Sequence, residues 1–116
     1  MICGDGGFHM TAQALSTMVQ NGRNPVTVVI ANGIYGFEQF LFDPSFFTNP
    51  ANLPRPYVVL NQWDFVKIGG GFGLQSAQAV NTATAFDAAL AAAKSGSGPA
   101  LIVAQVNSHD LPGELP

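Results

Sequence analysis

The residue pattern predicts an α/β fold: a parallel sheet with helices on both faces. Two observations carry this expectation. The runs Val26-Thr27-Val28-Val29-Ile30-Ala31 and Ala100 to Val106 are apolar but for Thr27 and Gln105, as strands buried on both faces nearly are. Between such runs stand segments with helical spacing, and Asn, Gly, Pro and Ser punctuate the junctions. Strand alternating with helix is the signature of a parallel sheet, because each parallel pairing needs a crossover.

Taken in order, Met1-Ile2-Cys3 reads as the end of a strand, and Gly4-Asp5-Gly6-Gly7 as a turn. Met10, Ala14, Leu15, Met18 and Val19 then share one face of a helix over about residues 10–21, which Asn21-Gly22 ends. Val26 to Ala31 is a buried strand, Asn32-Gly33 turns the chain, and a short helix follows over about 36–41. Residues 42–60 hold four prolines and no clean period, so they read as a long loop, a kind of segment that is usually functional or flexible. A short helix is expected over 63–68, broken by the glycines from Gly69 to Gly73. Residues 75–80 read as a strand. Thr82 is the expected N-cap of a helix reaching Lys94, with Phe86, Ala89, Leu90 and Ala93 on one face. Ser95 to Pro99 is a turn, 100–106 the last buried strand, and a proline-bearing tail follows.

Composition bounds the function. At 116 residues the chain is one domain at most, and only 9% of it is charged, where about 25% is usual. Part of its surface is therefore expected to be covered by another chain or by further sequence. Arg23, Arg55, Lys67 and Lys94 stand singly, so no basic patch recommends a nucleic acid as partner. No apolar run reaches the ~18 residues of a membrane span. The first residues lack the basic and apolar regions of a signal peptide. Cys3 alone cannot form an internal disulfide. These features point to a cytoplasmic protein.

Three places can carry chemistry. In Gly4-Asp5-Gly6-Gly7 the glycines would let main-chain amides approach a phosphate. A carboxylate among them suits a bridging Mg²⁺, which takes oxygen ligands. Taken alone, the motif is equally a tight turn with Asp5 capping a helix. Asn32-Gly33-Ile34 ends the next strand, and ligands of open parallel sheets bind at such ends. Taken alone, Asn-Gly is an ordinary turn. Glu38 is a carboxyl that shielding from water could tune for proton transfer. Alternatively it is a solvated helix residue. His9 reads as a capping or packing residue, and His109 as an exposed tail residue without a partner. Cys3 reads as a small buried residue. The phenylalanines between Phe37 and Phe47 could form a lid, a core or an interface. The glycines 69–73 fail as a dinucleotide fingerprint, because Leu74 stands where the third glycine belongs.

The spacing Gly4-Asp5-Gly6, then 25 residues, then Asn32 resembles the signature of thiamine-diphosphate-dependent enzymes. Gly4 to Met18 is similar to the helix that follows it in pyruvate and indolepyruvate decarboxylases. Asn32, Tyr35 and Glu38 keep that group's spacing, and Trp63-Asp64-Phe65 with Phe72-Gly73 also has a counterpart there. The resemblance implies a truncated thiamine-diphosphate-binding fold, with thiamine diphosphate and Mg²⁺ as cofactors. Asp5 and Asn32 would bind Mg²⁺ by side chain and Ile34 by its carbonyl. Gly4, Gly6, Gly7, Phe8 and Tyr35 would lie along the cofactor. Glu38 would handle substrate carboxylate and proton in a non-oxidative 2-oxo-acid decarboxylase. Ala31 departs from the signature, which has Asn there; the ligand position itself, Asn32, is kept.

The resemblance also implies a partner. A pyrimidine-binding domain, on another chain or segment, would supply the activating glutamate and the catalytic histidines. The first part of the diphosphate domain is expected to be missing as well. A homo-oligomer is expected. The alternative is a non-catalytic fragment, or a self-associating domain of the same ancestry.

Overall fold

The computed structural model describes residues 1–111. The elements are β1 (Ile2–Gly4), α1 (Asp5–Thr11), α2 (Ala14–Gln20), β2 (Val26–Ala31), α3 (Gly36–Phe42), α4 (Ser45–Thr48), a 3₁₀ turn (Pro56–Val58), α5 (Phe65–Gly71), β3 (Ser76–Val80), α6 (Ala83–Ser95) and β4 (Ala100–Gln105). The four strands form one sheet in the order β1-β2-β4-β3, and every pairing is parallel.

Side chains alternate across the sheet, so each face has its own core. Val29, Leu101 and Val103 join Phe8, Ala12, Leu15, Phe65 and Leu74 beneath α1, α2 and α5. Val28, Ala100 and Ile102 meet Ala89 and Ala93 of α6 on the other face, with Phe86 and Leu90 packed alongside. The expected helices on both faces are thus present. At the β1 edge the α6 face runs out of cover, leaving Ile2 75% exposed.

Three expectations are corrected. Gly4–Gly7 is not a free turn: Asp5, Gly6 and Gly7 form the first turn of α1, so the helical region begins five residues earlier than the apolar spacing shows. Hydrophobic period is blind to a turn made of Asp and Gly, whereas an early acidic residue is favoured there by the helix dipole. That region is also two helices. Ala12 and Gln13 keep helical angles, but Leu15 and Ser16 donate to carbonyls three residues back, at Ala12 and Gln13 (both 3.1 Å). This is a tight 3₁₀ joint.

The glycines from Gly69 to Gly71 do not break α5; they complete it. A Cβ on Gly69 would stand 3.2 Å from both Ala77 Cβ and Leu101 Cδ2, so its absence lets the helix lie close on the sheet. The stop comes at Gly73, with φ +90°. Leu74 donates to the Gly69 carbonyl and Gly73 to that of Gly70 (3.0 and 2.9 Å), the paired closure of a Schellman motif.

The segment 42–60 is more ordered than its prolines suggest. It contains α4 and the 3₁₀ turn, and Val59 bridges Ile34 in antiparallel fashion. Its clamp is Gln39, fully buried. The Gln39 side-chain Nε2 donates to the Asp43 carbonyl (3.0 Å), and its Oε1 accepts from the Arg55 main-chain amide (2.8 Å). The Arg55 guanidinium also reaches the Asp43 carboxylate at 3.2 Å. Gln39→Leu would leave the Arg55 amide without a partner and the Asp43 carbonyl with only the Phe46 amide at 3.4 Å, at a cost of about 1–3 kcal/mol. The expected readout is a lower urea midpoint at unchanged slope.

Thr82 caps α6 as expected, its Oγ1 accepting from the Ala85 amide at 3.2 Å. Thr82→Ala should lower unfolding free energy by about 1 kcal/mol, measured in the same urea titration. The proline-bearing end of the tail lies outside the described residues.

Candidate functional site at the strand ends

β1 and β2 are neighbours in parallel register, with Gly4 opposite Ile30. Asp5 and Asn32 therefore leave adjacent strands at their carboxyl ends. Asp5 is 4% exposed. Its Oδ2 accepts from the Gly33 amide at 2.7 Å and its Oδ1 from the Gly6 amide at 3.0 Å. Asp5 is thus no helix cap in the ordinary sense; it pins the β2 turn to the start of α1. Gly33 adopts φ +77°. Asn32 Oδ1 accepts from the Ile34 amide at 3.2 Å.

Tyr35 and Gly33 are anchored from the other side. The Tyr35 amide donates to the Val58 carbonyl (2.8 Å) and the Leu60 amide to the Gly33 carbonyl (2.9 Å). The Tyr35 ring lies directly against Gly6, where a Cβ would stand 2.5 Å from Cε1. Cβ atoms on Gly4 and Gly7 would meet nothing within 4 Å. The main chain of this turn is open to a ligand on that side.

Two hollows meet at these residues. One, of about 600 Å³, lies over β2 and β4 and is lined by Asp5, Asn32, Ile34, Gln62, Asp64 and Ser108 among others. The second, of about 390 Å³, lies towards β1 and contains Gly4, Gly6, Gly7, Asn32, Tyr35 and Glu38. Asp5, Asn32 and Ile34 line both. The residues singled out from sequence are therefore brought together, with one exception. The Phe8 ring is 1% exposed and packs edge-on against Phe65 at 5.3 Å, so Phe8 can face the hollow only through its main chain.

Glu38 lines the second hollow but is exposed to water. The shielding that tuned proton transfer needs is not supplied by these residues. Asp64, on the wall of the larger hollow, accepts from the Lys67 amide at 3.0 Å and has the Lys67 ammonium at 3.0 Å. These hold its carboxyl below the ordinary carboxylate range. Burial, opposed by the N-terminal ammonium, pushes the Cys3 thiol up, which disfavours its thiolate.

His9 packs, stacked on Trp63 at 4.0 Å. His109 does have a partner, contrary to expectation. It stacks on the fully buried Phe46 at 3.9 Å, and its Nε2 lies 3.3 Å from the Asn52 carbonyl oxygen. The phenylalanines divide: Phe46 is core with Ile34 and Val58, whereas Phe37 and Phe42 are exposed. Sequence reading passed over Gln39 and Gln62, because a lone glutamine carries no local signal.

The family model for the thiamine pyrophosphate enzyme C-terminal TPP binding domain matches residues 1–104. The chain belongs to this family. Pyruvate decarboxylase 3 of Oryza sativa subsp. indica is 32% identical over 110 residues, covering 91% of the chain but 17% of the relative. Pyruvate decarboxylase of Aspergillus fumigatus is 30% identical over 73 residues, 63% of the chain and 11% of the relative. The thiamine diphosphate-dependent 4-hydroxybenzoylformate decarboxylase of Rhodococcus jostii RHA1 superposes with a TM-score of 0.77 at 28% identity, covering 91% of this chain and 19% of that one. Benzoylformate decarboxylase of Polynucleobacter necessarius gives 0.75, also at 28%, covering 96% and 20%. The chain thus spans less than a fifth of the curated relatives' length. As a TPP binding domain it is homologous to decarboxylases of larger build. No described helix is long and apolar enough to cross a membrane.

Proposed function

We propose that this chain is the diphosphate- and Mg²⁺-binding part of a thiamine-diphosphate-dependent, non-oxidative 2-oxo-acid decarboxylase. The observation that carries the reading is the junction of Asp5 and Asn32 at adjacent strand ends, beside an open glycine turn. Its donors fit the metal. One carboxylate, one amide oxygen and the Ile34 carbonyl are hard oxygen ligands of the kind Mg²⁺ takes. Asp5 uses one hydrogen bond on each oxygen, which leaves a lone pair on each for a cation.

In this reading Asp5, Asn32 and Ile34 would hold Mg²⁺, whose charge would let the Asp5 carboxylate stand beside the diphosphate. Gly4, Gly6, Gly7, the Phe8 main chain and Tyr35 flank the diphosphate. When bound, thiamine diphosphate supplies an electron sink for the pair released as the substrate carboxylate leaves as CO₂. Glu38 handles the proton. Its exposure on this chain fits a site walled on that side by a pyrimidine-binding domain.

The test is a calorimetric titration of thiamine diphosphate into this chain with and without Mg²⁺. Mg²⁺-dependent heat is the expected result; its absence would sink the reading that this chain alone is a competent cofactor site. The exposure of Ile2, Phe37, Leu41, Phe42, Leu53 and Tyr57 favours a second reading, a self-associating domain without turnover. Sedimentation of the chain alone as a stable oligomer, with no Mg²⁺-dependent heat, would favour it.

A further inference from the structure

Residues 106–111 leave β4 and pass over the ends of β2 and β4 as a strap. The Val106 amide donates to the Ala31 carbonyl (3.0 Å), after which regular pairing ends. A turn follows: the Asp110 amide donates to the Asn107 carbonyl (3.1 Å), and the His109 amide to Asn107 Oδ1 (2.9 Å). Ser108 lines the larger hollow, while Asp110 and Leu111 line the smaller. The strap therefore borders both hollows, as Asn32 and Ile34 do.

Beyond Val106, among the described residues, the strap's hydrogen bond to the rest of the chain is that of His109 to Asn52. The same ring stacks on Phe46. Phe46 in turn meets Phe47 edge-on at 5.0 Å, and Phe47 lines the smaller hollow. One side chain thus joins the strap to the 42–60 segment and, through Phe46 and Phe47, to the hollow that Glu38 also lines.

We propose that His109 is a positioning residue: a latch that holds the 106–111 strap over the strand ends and so sets the wall of the Glu38 hollow. This deepens the reading above by naming what bounds the acid-binding side. The latch itself is independent of cofactor. It implies that releasing His109 loosens the strap and leaves the sheet intact, because β4 is held by β2 and β3 on either side.

Amide hydrogen exchange on the full chain tests this. In His109→Ala the amides of His109 and Asp110 should exchange at least tenfold faster, while those of Ile102 and Val103 stay within twofold. His109→Phe keeps a stacking ring without the hydrogen bond and should fall between Ala and wild type. Unchanged exchange at His109 and Asp110 would overturn the latch. So would acceleration of Ile102 and Val103 to the same degree in both variants, which would make His109 an ordinary core residue. Absence of Mg²⁺-dependent cofactor heat in the wild-type chain would sink the reading that this chain alone is a competent cofactor site and leave this result standing.

Discussion

Replacing Asp5 with alanine is expected to erase the Mg²⁺-dependent heat of thiamine diphosphate binding and to lower the unfolding free energy by about 1–3 kcal/mol. The two effects have separate causes. The first follows from charge: Asp5 is the one carboxylate in the proposed donor set, and Mg²⁺ is commonly bound through one or two carboxylates plus phosphate. The second follows from hydrogen bonding. Asp5 accepts from Gly33 and Gly6, and a buried main-chain donor left unpaired costs about 1–3 kcal/mol. Asn32→Ala separates them. Asn32 is only half-buried and its side chain serves the neighbouring Ile34 amide, so the heat should fall with little loss of stability. Calorimetry and urea unfolding on the same samples decide it. Wild-type heat in Asp5→Ala would remove Asp5 from the metal site.

Gly6→Ala is expected to destabilise the domain, although alanine is the better helix residue. The helix preference is worth about 1 kcal/mol in favour of alanine. Against it stands a Cβ placed 2.5 Å from Tyr35 Cε1 and 2.7 Å from Cδ1. Tyr35 cannot simply withdraw, because its amide is tied to Val58 and its carbonyl accepts from the Gln39 amide at 2.9 Å. Overpacking of this kind costs about 1–3 kcal/mol, and more where a rigid ring must move. The clash should win, with a fall in melting temperature of roughly 4 °C per kcal/mol. A double-mutant cycle with Tyr35→Ala checks the cause. Residues in contact couple by about 0.5–3 kcal/mol; zero coupling would show that Gly6 is not making room for Tyr35.

Much of this molecule was legible before any coordinates. Val26 to Ala31 and 100–106 are apolar save for Thr27 and Gln105, and that near-continuity reports a strand covered on both faces. Thr82 and the Phe86–Ala89–Leu90–Ala93 stripe located α6 to within a residue. The junction of Asp5 with Asn32 was legible only as a spacing. The strand order that brings them together is a long-range fact. What stayed hidden has one physical character: partners far apart in the chain. Gln39 finds Arg55 sixteen residues on, and His109 finds Asn52 across fifty-seven. Neither leaves a period or a turn signal. Gly69 to Gly71 misled because glycine was read as a breaker, whereas here the sheet presses on α5 and selects it for its lack of side chain.

Asp5 and Glu38 differ in what they owe to the rest of the molecule. Asp5 is a pin as well as a ligand candidate, so a lineage without the proposed cofactor chemistry would still lose foldable protein by discarding it. Its retention across descendants would record selection for folding as readily as selection for chemistry. Glu38 carries no hydrogen bond among those described and stands in water, so nothing structural restrains it from drifting. In a comparison of descendant genes, the free position is therefore the informative one. If Glu38 has the proton-handling role proposed for it, glutamate kept at 38 would mark lineages in which that reaction is still being selected.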